Sequence, residues 1–285
     1  MTSRRVGELV LCAAVLAASL CSCTKSAYAQ GAVRTASTTT VLSAEEQKLI
    51  ALYATLTPRA MASFALDVTD GSMRVEFIAE LLELLRQEES FPQNDKSLFF
   101  LIDKKHTVRS DYEPADLVSL DGDSLFDVNK GGMVMRRDAR DALRLMAQAA
   151  LNDGVKLLVS SAYRSYSYQK RLFDYWVSVD GPEEAERESA RAGTSQHQLG
   201  TAADFGSISD DFDSTTMGSW MYANAARFGW SLSFPKGYED VTGYRWECWH
   251  FRYIGVKACA FQAKWFGDVQ QFMLEFIDKW KKWES

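Results

Sequence analysis

Only three histidines occur in the 285 residues, and two of them stand in stretches that read as ligand sets. One is "SQHQLGTAADF", Ser195 to Phe205, where His197 precedes Asp204 with Gly200 and the small Ala202 and Ala203 between them. A zinc site takes neutral imidazole and carboxylate donors at fixed geometry, and a glycine lets the chain turn tightly enough for His197 and Asp204 to converge on one ion. The other is "YRWECWHFRYIG", Tyr244 to Gly255, which carries His250 with Glu247 just ahead of it. A zinc hydrolase needs three ligands, an open position for water, and a carboxylate that takes the water's proton. His197, Asp204, His250 and Glu247 make up that inventory. A third stretch, "SSAYRSYSYQ", Ser160 to Gln169, offers one cation, Arg164, whose guanidinium can grip a carboxylate or a developing oxyanion. Each feature alone also has an ordinary explanation: a satisfied core histidine, a glutamate paired with Arg245 or Arg252, a surface salt bridge.

These groups need a scaffold. The run 155–161 reads as a strand that ends at the Arg164 loop, the kind of place where active-site groups sit. Further strands are expected over 98–103, 201–205, 230–234 and 244–254, and an extended loop around Pro114. In a flat strand Glu247 and His250 would face opposite ways and share a site only through a twist or bulge, whereas Cys248 would share a face with His250 and is a further ligand candidate. Helices are expected from about 44, where Ser43 and Glu46 form a capping box, and over 73–88 with Val75, Ile78, Leu81, Leu82 and Leu85 inward. More follow over 136–152, 167–177, 183–191 and 217–228, and Val269, Phe272, Met273, Phe276, Trp280 and Trp283 repeat at helical spacing as a packing stripe. Strands and helices mix without a regular alternation, so the fold class is α+β: a small, mostly antiparallel sheet flanked by helices, with extra helices at both ends.

Composition limits the partners. A chain with 47% hydrophobic and 12% aromatic residues can bury a sizeable core, and a formal charge of −6 without a basic cluster argues against nucleic acid. Arg4 and Arg5 precede an apolar run, residues 9–20, that fits the core of a signal peptide and is short for a membrane span. "AYA", Ala27 to Ala29, offers a signal-peptidase site, and "LCSC", Leu20 to Cys23, resembles a bacterial lipobox with Cys23 as the lipidated residue. The Ala/Ser/Thr-rich stretch that follows reads as a polar tether and favours the lipobox. The expected location is outside the cytoplasm, as a periplasmic or cell-envelope lipoprotein that touches the membrane through its N-terminal anchor. Cys248 and Cys259 remain in the globular part, either bridged or as two buried thiols. Nothing in the sequence fixes the oligomeric state.

Taken in order, S-x-Y-R-S-x-x-x-Q at Ser161 to Gln169, S-x-H-x-x-G-x-A-x-D at Ser195 to Asp204, E-x-W-H at Glu247 to His250 and R-Y-x-G at Arg252 to Gly255 resemble the VanY-type D-alanyl-D-alanine carboxypeptidases, zinc peptidases of the LAS superfamily and peptidase family M15. The resemblance runs from about Leu98 to Gly255. It implies Zn2+ held by His197, Asp204 and His250, Glu247 as general base and acid, and Arg164 stabilising the oxyanion or holding the substrate. It implies that Ser195 and Gln169 help hold the terminal carboxylate, with Tyr163 and Ser165 as neighbouring substrate contacts. It also implies the LAS/hedgehog-like fold and peptidoglycan stem peptides as substrate. The leading expectation is removal of the terminal D-alanine from pentapeptide stems. Alternatives are L,D-carboxypeptidase action on tetrapeptides, D,D-dipeptidase action on free dipeptide, and a non-catalytic, zinc-containing wall-binding lipoprotein. Cys248 falls where the family often has proline, which argues against its being a ligand. Ser233 falls where the family often has arginine, which bears on substrate preference. His106 reads as structural. The expected organisation is a signal peptide over 1–22 (or 1–29), a tether over 23–42, a helical accessory segment over 43–90, the peptidase domain over 97–255, and a helical extension over 256–285.

Overall fold

The computed structural model describes residues 41–88, 96 and 98–283. The expectations for residues 1–40, namely the signal peptide, the lipidated Cys23 and nearly all of the tether, lie outside the described residues. Among the described residues no helix is long and apolar enough to cross a membrane.

The first helix, α1 (Ala44–Tyr53), begins at the capping box: the Ser43 hydroxyl accepts from the Glu46 amide, and the Glu46 carboxylate accepts from the Ser43 amide. A short α2 (Pro58–Ser63) opens on proline behind a Thr57 cap, and α3 (Gly71–Glu88) follows. The buried face of α3 is Phe77, Ile78, Leu81 and Leu84; Val75, expected inward, is 61% exposed. The segment 98–103 is not a strand. Its apolar side chains are buried under the helices, while the carbonyls of Leu98 and Phe100 accept hydrogen bonds from the Arg252 guanidinium in place of a neighbouring strand.

Three short strands come next, β1 (Leu117–Ser119) within the stretch expected as an extended loop, then β2 (Phe126–Val128) and β3 (Val134–Arg136). Strands β1 and β3 form a separate antiparallel ribbon. The remaining elements are α4 (Arg137–Asn152), β4 (Leu157–Ser161), α5 (Tyr166–Glu188), β5 (Ala202–Phe205), α6 (Thr216–Asn224), β6 (Trp230–Leu232), α7 (Glu239–Thr242), β7 (His250–Tyr253), α8 (Val256–Trp265) and α9 (Gln270–Lys282). Helix α5 merges the two helices expected there across a kink at Gly181 and Pro182. The main sheet runs β2-β4-β5-β7-β6, parallel at β2/β4 and antiparallel elsewhere, which makes the fold α+β.

Two apolar cores hold it. On one face of the sheet, Leu143, Met146 and Ala150 of α4 pack with Val159, Ala203, Phe205 and Phe251. The other core joins α1, α3, α8 and α9 to Leu98, Phe99 and Leu101, and includes Phe272, Met273, Phe276 and Trp280 of the C-terminal stripe. Trp283 leaves that stripe, at 37% exposed. Cys248 belongs to the first core and Cys259 to the second, so both are free, buried thiols and the bridged alternative falls.

Candidate metal centre

Strand β5 is buried along its length, and strand alternation sends Ala203 and Phe205 into the core while Asp204 faces the opposite side of the sheet. The register sets Asp204 between Ser161 of β4 and His250 of β7. Two histidines therefore need only reach one carboxylate. The His250 Nδ1 lies 3.0 Å from Asp204 Oδ1, and the His197 Nε2 lies 3.2 Å from Asp204 Oδ2.

His197 sits in a 3-10 turn, Gln196–Leu199, whose N-terminal cap is the Ser195 hydroxyl accepting from the His197 amide. Gly200 closes the turn in the left-handed region, at φ 71°, and the space there is full: an added Cβ would lie 2.9 Å from Arg136 Cγ. The ring is oriented by Nδ1–H donating to the Ala162 carbonyl at 2.6 Å, which leaves Nε2 as the free donor atom.

Glu247 lies in the turn ahead of β7, with its amide donating to Phe234 O and its carbonyl accepting from the His250 amide. The strand begins at His250, so the strand-face difficulty does not arise; Glu247 Oε2 comes within 3.5 Å of His250 Nδ1. Cys248 turns away into the core, its Sγ 3.4 Å from the Ser209 carbonyl.

Offered ligand atoms of His197, Asp204 and His250 lie within 4.8 Å of one another, and all three residues are buried. Two of these atoms, His197 Nε2 and Asp204 Oδ1, are buried with no hydrogen-bond partner outside the trio itself. Leaving such atoms unpaired costs free energy, and two neutral imidazoles with a carboxylate are a zinc donor set, so the residues present fit that ion.

The electrostatics agree with that fit. Burial, with the Arg164 cation beside it, pulls the His197 pKa down to about 4, so its imidazole is neutral at pH 7. Burial alone would raise the Asp204 carboxyl, but His197 and His250 hold it well below the ordinary carboxylate range. Burial and the Asp204 charge push Glu247 well above the ordinary glutamate value.

Arg164 donates from Nε to Gln169 Oε1 at 2.8 Å and from Nη1 to Ser161 Oγ at 2.9 Å and Asp204 Oδ2 at 3.4 Å. Gln169 is fully buried, and its Nε2 donates to the Ala190 carbonyl, so its two ends are committed to the protein. Ser195 lines the cavity above the three ligands, which holds about 320 Å³ and has Ile102, Lys130, Tyr168, Trp176, Phe234 and Trp249 in its walls. Tyr163 and Ser165 do not line it. The Tyr163 hydroxyl turns to Glu113, and burial pushes its pKa up to about 12; the Ser165 hydroxyl caps α5 by accepting from the Tyr168 amide. His106 is tied to Asp103, Nδ1 to Oδ1 at 2.8 Å, away from the cavity. The sequence reading missed Glu188 and Gln196 as lining residues and gave Arg245 only as an ordinary partner for Glu247, whereas Arg245 pairs with Glu188 at 3.2 Å in the wall. The partners of these side chains come from distant segments, so spacing gives no signal for the roles they take.

The pattern of the VanY D-alanyl-D-alanine carboxypeptidase family matches residues 132–256. A putative carboxypeptidase, YodJ, of Bacillus subtilis (strain 168) is 38% identical over 196 residues, which are 67% of this chain and 70% of that protein. Among solved structures, the LdcB LD-carboxypeptidase superposes with a TM-score of 0.58 at 34% identity, covering 66% of this chain and 88% of that one. A variant of the vancomycin-resistance D,D-pentapeptidase VanY from a VanB-type cassette, solved with Zn(II), gives 0.52 at 26% identity over 63% and 98%.

Proposed function

The chain belongs to the VanY D-alanyl-D-alanine carboxypeptidase family, and from that premise we propose that it is a zinc-dependent carboxypeptidase that releases the terminal D-alanine from peptidoglycan stem peptides. The observation that carries the proposal is the buried His197, Asp204 and His250 set with two ligand atoms unpartnered outside it and Glu247 against it. His197 would hold the ion through Nε2, His250 through Nδ1, and Asp204 through a carboxylate oxygen. A bound zinc would supply Lewis acidity to the scissile carbonyl and to a water near neutral pH. Glu247 would accept the water's proton and return it to the departing amine; its raised proton affinity suits both halves of the task. Arg164 offers a fixed cation to the developing oxyanion or to the substrate carboxylate, and Gln169 acts through Arg164 by holding its Nε. Ser195 is the candidate substrate contact in the cavity wall.

A second reading is L,D-carboxypeptidase action on tetrapeptide stems, favoured by the greater likeness to LdcB than to the zinc-loaded VanY variant. One experiment separates the possibilities. Zinc-loaded protein is incubated with stem penta- and tetrapeptides and the products are weighed by mass spectrometry, alongside Glu247→Ala. Loss of one alanine from pentapeptide supports the D,D reading, and loss from tetrapeptide the L,D reading. In both cases Glu247→Ala should retain zinc and lose roughly 10²–10⁴-fold in turnover. Zinc binding without cleavage of either peptide would return the protein to the wall-binding alternative.

We further propose export, with Cys23 as the acylated N-terminus of the mature lipoprotein, on the strength of the Leu20 to Cys23 motif. Mass spectrometry of the native protein should find a lipid-modified Cys23; a free N-terminal Gln30 would end that proposal.

A further inference from the structure

The imidazole of His250 has two nitrogens, and the site needs a particular one of them bare. Its Nδ1 points at the Asp204 and Glu247 carboxylates, at 3.0 and 3.5 Å, so metal binding there requires the proton to sit on Nε2. That Nε2 lies 3.1 Å from Oε1 of Gln196, and the same Oε1 receives the Ser233 hydroxyl at 2.7 Å. Both partners are buried, at 5% and 2% exposed.

An amide oxygen has two lone pairs, and this one has two donors. With the Ser233 hydroxyl donating into Oε1, the carboxamide presents an acceptor to His250, and an Nε2–H is the group that can use it. The opposite tautomer would carry its proton on Nδ1, between the ring and Asp204, where it blocks a metal. The ring plane is fixed as well, edge-on to His197 at 4.8 Å between centroids and against Phe234 at 4.8 Å.

We propose that Gln196 and Ser233 are positioning residues for the metal centre: Ser233 orients the Gln196 carboxamide, and Gln196 holds His250 as the Nε2–H tautomer with Nδ1 free for the ion. The inference rests on the zinc reading above and adds two residues to it. It also gives "SQH" a second meaning, since the residue beside one ligand serves the other. His197 has its own equivalent in the Ala162 carbonyl. Partners of this kind on metal-bound histidines typically change metal affinity 10–100-fold when removed.

The test measures zinc affinity by competition with a chromophoric chelator on the full protein, beside Gln196→Met, Gln196→Glu and Ser233→Ala. Gln196→Met keeps length and removes both polar atoms, and is expected to weaken zinc binding 10–100-fold. Gln196→Glu restores an acceptor for both donors and should bring the affinity back to within a few-fold of the native protein, a rescue that a mere packing role would not give. Ser233→Ala leaves the His250 contact but frees the carboxamide, so it should fall between them; it also serves if Gln196→Met folds poorly. Nitrogen NMR of the zinc-loaded protein should show a His250 Nε2–H that exchanges slowly with water in the native protein and faster in Gln196→Met and Ser233→Ala. Native zinc affinity in a folded Gln196→Met, or an unchanged exchange rate of that Nε2–H, would overturn the proposal and leave the carboxypeptidase reading standing. Failure of the native protein to bind zinc would remove both.

Discussion

Glu247 shows at the scale of one residue how the candidate chemistry is set against stability. Burial and the Asp204 charge raise its proton affinity, so the folded, metal-free protein resists ionising it while the unfolded chain ionises it with an ordinary glutamate pKa. An acid raised in this way contributes most stability below its unfolded pKa, near 4.5, and that contribution is lost as pH rises through the folded value. Glu247→Gln should therefore melt higher than the native protein in EDTA at pH 8, with the gap closing towards pH 4.5; each kcal/mol is worth roughly 2–4 °C in a chain of this size. An equal gap at both pH values would contradict the assignment of the effect to ionisation. Arg164 supplies a second case. Its Nε and Nη1 are spread over Gln169, Ser161 and Asp204, a fork that an ammonium cannot reproduce. Arg164→Lys should keep zinc and lower kcat/KM by roughly 10²-fold, read in the same peptide assay. The candidate set His197, Asp204, Glu247 and His250, which the structure brings together, was legible because water activation by a metal would demand those types. Gln196 and Ser233 were not, because an amide or a hydroxyl has no preferred partner until the fold brings one to it.

Between residues and fold stand the elements, and here legibility depended on what satisfied the backbone. Strands β4, β5, β6 and β7 fall inside the runs expected as strands, though β7 is shorter than the 244–254 expectation because a turn carries Glu247. The run 98–103 has strand composition but pairs with the Arg252 side chain, and β1, inside the stretch read as an extended loop, pairs with β3. Composition reports burial, whereas pairing is decided by distant sequence. The turn between His197 and β5 is the element on which the ligand geometry most depends. Gly200 adopts a left-handed conformation against Arg136, Leu117 and Pro114, so a methyl group there meets both backbone strain and side chains. Gly200→Ala should cost about 1–3 kcal/mol in stability and weaken zinc binding together, because relieving the contact moves His197 relative to Asp204. Urea titration and chelator competition on one preparation measure the two; a stability loss with native zinc affinity would show that the turn relaxes away from the site.

At the scale of the molecule, the described residues from Leu42 onward form one compact unit, and the helical layers at its two ends share a core. That core includes Leu98, Phe99 and Leu101, and the same segment continues into Ile102, which lines the site cavity, and Asp103, whose carboxylate accepts from Gln271 of α9. Gln262 of α8 and Gln270 of α9 also bond Ser231 of β6. Melting the helices would strip cover and hydrogen bonds from the sheet that carries His250, so the metal site and the helical layer should unfold together. Phe276 tests this from the far side. It is 1% exposed and packs against Phe64, Phe77 and Phe266, so Phe276→Ala should cost about 3–5 kcal/mol. Zinc acts from the other end, adding about 4 kcal/mol at a free concentration 1,000 times its Kd. Because the two perturbations share no partners, their effects should add, and the zinc increment should be the same in the native protein and the variant. Calorimetry with and without zinc reads this as one transition that shifts as a whole. Two transitions, with zinc moving one and Phe276→Ala the other, would mean that the helical layer folds apart from the sheet and that the ligand geometry does not depend on it.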